Sequence, residues 1–227
     1  MARAGAVIVA AGAGRRVGGT VRKQYLEIAG EPVLLHAVRP FVEHPQIGAV
    51  VVVLPAEDAA DPPAWLDALG VRVVAGGEER GDSVWNGLAA LPEALDPVLI
   101  HDGARPFITT AVIDRVLAAI DGECGAIAAL PVADTIKEVD AGGRITATPE
   151  RSRLWQAQTP QGFPREMIVS AHRRARAEGL AATDDAALCE RYGHTVRVVE
   201  GAAENLKITR PADLALAAAL VSGRPTR

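Results

Sequence analysis

A glycine-rich stretch near the N-terminus carries a cluster of positively charged side chains. It runs from Ala10 to Tyr25 and contains Arg15, Arg16 and Lys23. Glycine and alanine let the backbone approach an anion closely, and clustered cations are suited to holding the oxygens of a polyphosphate. The chain as a whole is acidic, with a net charge of −4, so this cluster stands out. We predict a phosphate-binding loop; the alternative is a solvated basic loop.

Two familiar phosphate-binding motifs nearly fit this stretch, and both fail. A dinucleotide fingerprint beginning at Gly12 requires glycine or alanine where Val17 stands, and a Walker A loop beginning at Gly14 requires lysine where Thr20 stands. The mismatch at Val17 disfavours an NAD-dependent oxidoreductase. Polyphosphate binding in another arrangement is the prediction that follows.

A second candidate site is the segment His-Asp-Gly-Ala-Arg-Pro, residues 101–106. Asp102 follows a short apolar strand, so its carboxylate is expected at the carboxyl edge of a sheet, where ligands of such folds bind. A carboxylate there is suited to holding a Mg²⁺ ion that also binds phosphate oxygens. The alternative is an ordinary Asp-Gly turn, and the predicted phosphate loop favours the metal.

A third loop, residues 76–83, begins with two glycines whose backbone groups could recognise the edge of a nucleobase. Ser83 could bind a ligand or cap the following helix, and taken alone it favours the cap.

Lysine is rare in this chain: Lys23, Lys137 and Lys207 stand against 21 arginines. A position that keeps lysine in such a chain is a candidate for a site that needs a compact ammonium rather than a planar guanidinium. The alternative is chance retention on the surface.

These loops need a scaffold, and the sequence predicts one in which apolar strands alternate with helices. The predicted strands are 6–10, 49–54, 71–75, 98–102, 126–132 and 195–200; the predicted helices are 33–43, 56–69, 82–91, 110–121, 164–178, 184–192 and 211–221. The first five strands are continuously apolar, which is typical of parallel strands covered on both faces. We therefore predict a doubly wound, mostly parallel α/β sheet in a single domain, residues 1–227.

One segment, residues 134–159, breaks this alternation. Residues 135–139 and 144–148 flank a turn at 140–143 and predict a β-hairpin. An isolated hairpin is marginally stable in water and needs a surface to pack on. We interpret the segment as a projecting dimerisation arm; the alternative is a hairpin that folds back over its own domain.

Composition excludes several classes of protein. The chain has 227 residues, of which 49% are hydrophobic and 23% charged, which argues against disorder. Its acidic balance disfavours a broad nucleic-acid interface, and no apolar run is long enough to span a membrane. Cys124 and Cys189 show no metal-ligand spacing. The N-terminus lacks a signal peptide, so we expect a cytoplasmic protein.

Taken together, the motifs resemble those of a known family. They are Ala-Ala-Gly-Ala-Gly-Arg-Arg with Lys-Gln-Tyr, Gly-Gly-Glu-Glu-Arg with Asp-Ser-Val, His-Asp-Gly-Ala-Arg-Pro, Gln-Thr-Pro-Gln, Thr-Asp-Asp and Asn-Leu-Lys-Ile-Thr-Arg-Pro. In this order, from about residue 6 to 219, they resemble the 2-C-methyl-D-erythritol 4-phosphate cytidylyltransferases of the non-mevalonate isoprenoid pathway. The resemblance implies a Rossmann-like nucleotidyltransferase fold and a homodimer with exchanged arms. It also implies transfer of CMP from CTP to methylerythritol phosphate with Mg²⁺ and release of pyrophosphate.

The resemblance also implies roles for individual residues. The nucleotide would be bound by Ala10, Ala11, Gly12, Ala13, Gly14, Arg15, Gly77, Glu78, Ser83, Asp102 and Gly103, with Asp102 also holding the metal. The residues implied to act in catalysis are Arg16, Lys23, Arg151 and Lys207. The second substrate would be bound by Arg105, Thr135, Thr159 and Thr183, with Thr135 and Arg151 reaching the neighbouring subunit's site.

The sequence departs from the family pattern at Val9 and Arg22, where prolines are common, which bears on the stiffness of the nucleotide loop. The chain shows no cyclase domain of the kind fused to some relatives, so we expect a monofunctional enzyme. Two alternatives stay open: a cytidylyltransferase for another polyol phosphate such as ribitol phosphate, and a non-catalytic nucleotide-binding module.

Overall fold

The structure is a computed structural model that describes residues 3–12 and 22–222. The strands within these ranges are β1 (Ala4–Val9), β2 (Glu27–Ile28), β3 (Glu31–Pro32), β4 (Ile47–Leu54), β5 (Arg72–Ala75), β6 (Val98–Asp102), β7 (Cys124–Pro131), β8 (Glu138–Val139), β9 (Ile145–Ala147), β10 (Trp155–Phe163) and β11 (Thr195–Glu200). The helices are α1 (Val33–Val42), α2 (Ala56–Ala60), α3 (Ala64–Ala68), α4 (Arg80–Ala90), α5 (Thr110–Ala119), α6 (Arg165–Glu178), α7 (Asp185–Arg191) and α8 (Pro211–Ser222).

Seven strands form one sheet in the order β11-β7-β10-β6-β1-β4-β5. Strand β1 lies in the middle and pairs in parallel with β4 and β6. Among the described strands of this sheet, only β10 runs antiparallel to its neighbours. The prediction of a mostly parallel α/β sheet is confirmed.

Alternation along β1 explains why helices cover both faces of the sheet. Ala6 and Ile8 point into a cluster with α1 and α5, whereas Val7 points into a second cluster with α4, α6 and α7. Successive side chains of a strand point to opposite faces, so a continuously apolar strand requires cover on both. The continuous hydrophobicity that predicted parallel strands has this physical cause.

The sequence did not predict β10. Its sequence, Trp-Gln-Ala-Gln-Thr-Pro-Gln-Gly-Phe, is interrupted by four polar residues, and its pairing with β7 is irregular between Ala157 and Gln161. The peptide bond between Thr159 and Pro160 is cis. Residues 155–159, assigned to the arm from sequence, therefore belong to the central sheet.

One predicted helix, 56–69, is two short helices in the structure. Helix α2 ends at Ala60 and α3 begins at Ala64, with Pro62 and Pro63 between them. Proline lacks the amide hydrogen that a continuing helix needs and clashes with the preceding turn. Cys124 and Cys189 are both free and buried.

The predicted hairpin is confirmed, although its strands are shorter than expected. Glu138–Val139 pairs antiparallel with Ile145–Ala147, and Asp140 Oδ1 accepts hydrogen bonds from the backbone of Gly142 and Arg144, each 2.9 Å long. Val139 and Ile145 are 57% and 58% exposed. The described part of the chain contains no helix long and apolar enough to cross a bilayer.

Candidate active site

A cleft of about 190 Å³ lies at the carboxyl ends of β1, β5 and β6. Backbone hydrogen bonds continue the sheet one residue beyond these strands: Ala10 N to Val53 O at 2.8 Å, Gly76 N to Leu54 O at 2.7 Å and Gly103 N to Val9 O at 2.9 Å. The loops that leave the strands are thereby held at one edge.

This cleft gathers most of the residues that the sequence predicted for the nucleotide and its phosphates. Those that line it are Ala10, Ala11, Gly12, Lys23, Gly77, Glu78, Ser83, Asp102, Gly103 and Lys207. Ala13, Gly14, Arg15 and Arg16 lie outside the described residues.

The loop after β5 packs too tightly for a side chain at Gly77. A Cβ there would lie 2.2 Å from the Cβ of Asp82, and the Gly77 amide donates to Ser83 Oγ at 3.1 Å. Ser83 Oγ in turn donates to the Glu79 carbonyl at 3.2 Å. Helix α4 begins at Arg80, two residues earlier than predicted, and its N-cap is Glu79. Interpreting Ser83 as the cap was therefore wrong; its hydroxyl shapes the loop from inside the first turn.

Asp102 lies among three cations. Its Oδ2 is 2.7 Å from Lys207 Nζ and 3.8 Å from Arg105 Nε, and its Oδ1 is 3.8 Å from Arg80 Nη2. Burial alone would raise the pKa of this carboxyl, but Lys207, Arg80 and Arg105 together lower it to about 2. Asp102 is therefore a permanent anion that attracts cations at the edge of the cleft.

The donor set at Asp102 fits a hydrated Mg²⁺ ion. Among the described residues there is no group of three or more acidic, histidine or cysteine side chains that could hold a metal on its own. Mg²⁺ is usually bound by one or two carboxylates together with phosphates and water. A metal at Asp102 would thus need a phosphate-bearing ligand to complete its shell.

A chain of buried hydrogen bonds fixes the backbone of Asp102 on its interior side. The Asp102 amide donates to Thr159 Oγ1 at 3.0 Å, and the threonine hydroxyl donates to His101 Nδ1 at 2.9 Å, because the other ring nitrogen, Nε2, carries the proton. His101 Nε2 then donates to the Arg105 carbonyl at 3.1 Å. Burial lowers the pKa of His101 to about 4, so the ring is neutral at pH 7. A buried, neutral ring with both nitrogens hydrogen-bonded indicates a structural role for His101.

Lys207 is positioned by the segment around it. The buried Asn205 donates to the Thr159 carbonyl at 2.8 Å, and Arg105 Nη1 donates to the Asn205 carbonyl at 2.8 Å. The Ile208 amide donates to the Ala104 carbonyl at 2.8 Å. The segment is thus tied to the loop after β6, while the Lys207 side chain is 37% exposed toward the cleft.

Sequence reasoning assigned no role to Arg80 or Asp185, although both stand in the quoted motifs. Arg80 Nη2 lies 2.8 Å from Asp185 Oδ2, and His172 Nε2 lies 3.0 Å from Asp185 Oδ1. Burial would raise the pKa of Asp185, but Arg80 and His172 lower it. Arg80 therefore links the site carboxylate Asp102 to a second, deeper carboxylate. Periodicity could not reveal this link, because its members come from α4, α6 and α7.

The residues predicted for the second substrate are spread out. Arg105 and Thr159 are buried beside and beneath Asp102. Thr183 is exposed, and the cap of α7 is Asp184, whose Oδ1 accepts from the Ala187 amide at 2.9 Å.

The two residues predicted to serve a neighbouring subunit lie on the exposed arm. Thr135 precedes β8, and Arg151 lies in a 3-10 turn, where its Nη1 donates to the Ala133 carbonyl at 2.7 Å. Neither residue lines the cleft of its own chain.

The chain is similar to known proteins both in sequence and in fold. Residues 4–223 match the family model of 2-C-methyl-D-erythritol 4-phosphate cytidylyltransferase. The chain is 45% identical over 222 residues to an enzyme of that name from Synechococcus sp., with 96% of each chain covered. The crystal structure of 4-diphosphocytidyl-2C-methyl-D-erythritol synthase from Anaerococcus prevotii superposes with a TM-score of 0.87 at 29% identity, covering 97% of this chain and 96% of that one.

A second crystal structure, of 2-C-methyl-D-erythritol 4-phosphate cytidylyltransferase from Thermus thermophilus, gives a TM-score of 0.80 at 34% identity over 98% of this chain and all of that one. The chain belongs to the 2-C-methyl-D-erythritol 4-phosphate cytidylyltransferase family, nucleotidyltransferases of the non-mevalonate isoprenoid pathway.

Proposed function

We propose that the chain transfers CMP from CTP to 2-C-methyl-D-erythritol 4-phosphate and releases pyrophosphate. The observation that carries the proposal is Asp102, a buried anion at the cleft edge with Lys207 at 2.7 Å. This arrangement offers one carboxylate for a metal and an exposed ammonium for a phosphate. Membership of the family supplies the identity of the two substrates.

In this proposal the cytosine binds in the part of the cleft that the loop after β5 forms. Gly77, Glu78 and Ser83 line this part. Close packing at Gly77 leaves backbone groups, rather than a side chain, to face the base edge. Lys23, Arg15 and Arg16 hold the triphosphate. A Mg²⁺ ion held by Asp102 would neutralise charge on the phosphates.

A phosphate oxygen of methylerythritol phosphate attacks the α-phosphorus of CTP, and the bond to pyrophosphate breaks. The protein forms no covalent bond in this step, so its contribution is positioning and charge stabilisation. Lys207 moves its ammonium from Asp102 toward the α-phosphate and the incoming substrate. Arg105 and Thr159 hold Asp102 and its loop in place.

The second subunit completes the site. The support for this proposal is the hairpin, whose Val139 and Ile145 side chains are exposed, and Arg151, which lies on the arm away from its own cleft. A guanidinium binds a phosphate in a bidentate manner, so Arg151 and Thr135 of each arm would hold the substrate of the partner's site. We place this homodimer in the cytoplasm.

Pyrophosphate release tests the reaction. The enzyme is mixed with CTP, Mg²⁺ and either methylerythritol phosphate or ribitol 5-phosphate, with each acceptor omitted as a control. Release that depends on methylerythritol phosphate supports the proposal. Release with ribitol 5-phosphate alone would assign a different polyol phosphate, and no release with either would indicate a binding module.

Subunit exchange tests the shared site. Arg151→Ala and Asp102→Asn would damage different halves of a composite site, so a mixture contains some intact sites. In a random one-to-one mixture about half of the dimers are mixed and each has one intact site, so roughly a quarter of wild-type activity should return. No recovery despite demonstrated exchange would show that Arg151 serves its own subunit.

A further inference from the structure

The cleft contains a buried amide that the mechanism above does not use. Gln24 lies in the 3-10 turn Lys23–Tyr25 and borders the cleft, yet it is only 1% exposed. Neither its Nε2 nor its Oε1 has a hydrogen-bond partner among the residues that the structure describes. The turn itself is fixed by its backbone, because the Tyr25 amide donates to the Arg22 carbonyl at 2.9 Å.

The other two buried glutamines among the described residues are satisfied, and the buried Asn205 leaves only its Oδ1 unpaired. Gln161, also 1% exposed, donates from Nε2 to Asp184 Oδ2 at 2.8 Å and accepts at Oε1 from the Asp185 and Ala186 amides at 3.1 Å. Gln158 likewise uses both atoms. Among the buried side-chain amides that the structure describes, Gln24 alone leaves both ends unpaired.

An unpaired buried amide destabilises the free protein, because the group has lost its water without gaining a partner. Buried groups left unsatisfied are rare in native proteins and each requires an explanation. A ligand that enters the cleft and pairs with the amide would remove this penalty. The cost would then be present only in the free enzyme.

The surroundings of Gln24 select the class of ligand. It follows Lys23 directly and borders a cleft that also holds Lys207 and Asp102. Phosphate oxygens suit the Nε2 donor in such a setting, and ordered water around a phosphate can donate to Oε1.

We propose that Gln24 is a binding residue for the polyphosphate of the nucleotide, and that its carboxamide is fully hydrogen-bonded only in the nucleotide complex. The inference rests on the proposed CTP site. It adds a neutral, directional contact beside the cations that supply charge.

The test uses Gln24→Met, which keeps the length of the side chain and removes both polar atoms, and Gln161→Met as the matched control. Melting temperature without ligand and calorimetric affinity for CTP, CMP and pyrophosphate, each with Mg²⁺, are measured for both and for the wild type. Gln24→Leu repeats the test in case the methionine variant does not fold.

The proposal predicts changes of opposite sign in one protein. The melting temperature of ligand-free Gln24→Met should rise by about 2–4 °C, because the unpaired groups are gone. Its affinities for CTP and pyrophosphate should fall roughly tenfold or more, and its affinity for CMP should fall less. Gln161→Met should melt at a lower temperature than the wild type, because it loses three satisfied hydrogen bonds.

Three results would overturn the inference: a lower melting temperature in Gln24→Met, an unchanged affinity for CTP and pyrophosphate, or an equal loss for CMP. The first would assign the amide a structural role, and the last a contact with the nucleoside monophosphate part that CMP shares with CTP. If the wild type itself failed to bind CTP, the proposed function would fail instead, so the two failures are distinguishable.

Discussion

Asp102 and Asp185 are both buried carboxylates, and both lie within 4 Å of the Arg80 guanidinium. Their other partners differ. Asp185 pairs with His172, whose side chain is 4% exposed, whereas Asp102 pairs with Lys207, whose side chain is 37% exposed. Arg80, 31% exposed, is shared by the two carboxylates, so the difference lies in the other partner: His172 beside Asp185 is locked in the core, whereas Lys207, the closest partner of Asp102, can leave. A lowered pKa is common to both and does not separate a functional carboxylate from a structural one; the freedom of the partner does.

The largest effect on turnover is expected from Asp102→Asn. The change keeps the shape of the side chain and removes the charge that would hold Mg²⁺, so we expect a loss of roughly a hundredfold or more. Steady-state pyrophosphate release measures it, with circular dichroism as the check on folding. Near-normal turnover in a folded variant would remove Asp102 from the mechanism.

A smaller loss, about tenfold, is expected from Lys23→Arg and from Lys207→Arg. A planar guanidinium does not replace a compact ammonium in a crowded phosphate site. Lys137 serves as the matched control, because it lies on the exposed arm and donates to Thr148 Oγ1 at 2.8 Å. If Lys137→Arg lost as much activity as the other two, the inference from lysine scarcity would be wrong.

Asp185→Asn should act on stability rather than on chemistry. Removing one charge from a buried pair leaves Arg80 and His172 without their anion, which is expected to cost about 3 kcal/mol of unfolding free energy. Urea denaturation measures the difference from the wild type.

The difference in unfolding free energy between the wild type and Asp185→Asn should depend on pH with a definite sign. In the folded protein the pKa of the Asp185 carboxyl lies below its ordinary value of 3.8. As the pH falls, the carboxyl is therefore protonated in the unfolded chain before it is protonated in the folded protein. The stabilisation of the folded protein by the charged Asp185 is complete well above pH 4 and decreases below it. A difference between the two proteins that grew on acidification would contradict the assignment.

A local effect, on reactivity rather than on turnover or global stability, is expected at Cys189. Burial, and then the charge of Asp185, raises the pKa of this thiol to about 12, so the native protein should react slowly with iodoacetamide. Asp185→Asn should speed alkylation of Cys189 by roughly tenfold through local opening of α7. Cys124, buried in β7, is the control: an equal acceleration at both thiols would indicate global unfolding instead.

Most of the sheet could be predicted because its strands are continuously apolar. β6 was predicted at its observed bounds, Val98–Asp102, and this placed Asp102 at the sheet edge. β10 could not be predicted, because a polar Gln-Thr-Pro-Gln sequence forms a strand only where two neighbouring strands hold it. Its pairing is a tertiary property.

Prediction of the candidate active site from sequence has the same limit, because pairings between distant residues are not visible in a sequence. The glycine, Asp102 and lysine positions were predicted because they follow strands or stand in motifs that resemble a family. Arg80, Asp185 and Gln24 stand in the same motifs, but what distinguishes them is a pairing, or the lack of one, that only the folded chain reveals.

The contrast between the two carboxylates is tested most directly by single-turnover transfer from labelled CTP. Wild type, Asp102→Asn and Asp185→Asn are compared at equal concentrations of folded protein with saturating Mg²⁺ and methylerythritol phosphate. The rate for Asp102→Asn should fall roughly a hundredfold or more, while the rate for Asp185→Asn should stay within about fivefold of wild type, since its loss is in stability. Equal losses in the two variants would contradict the account.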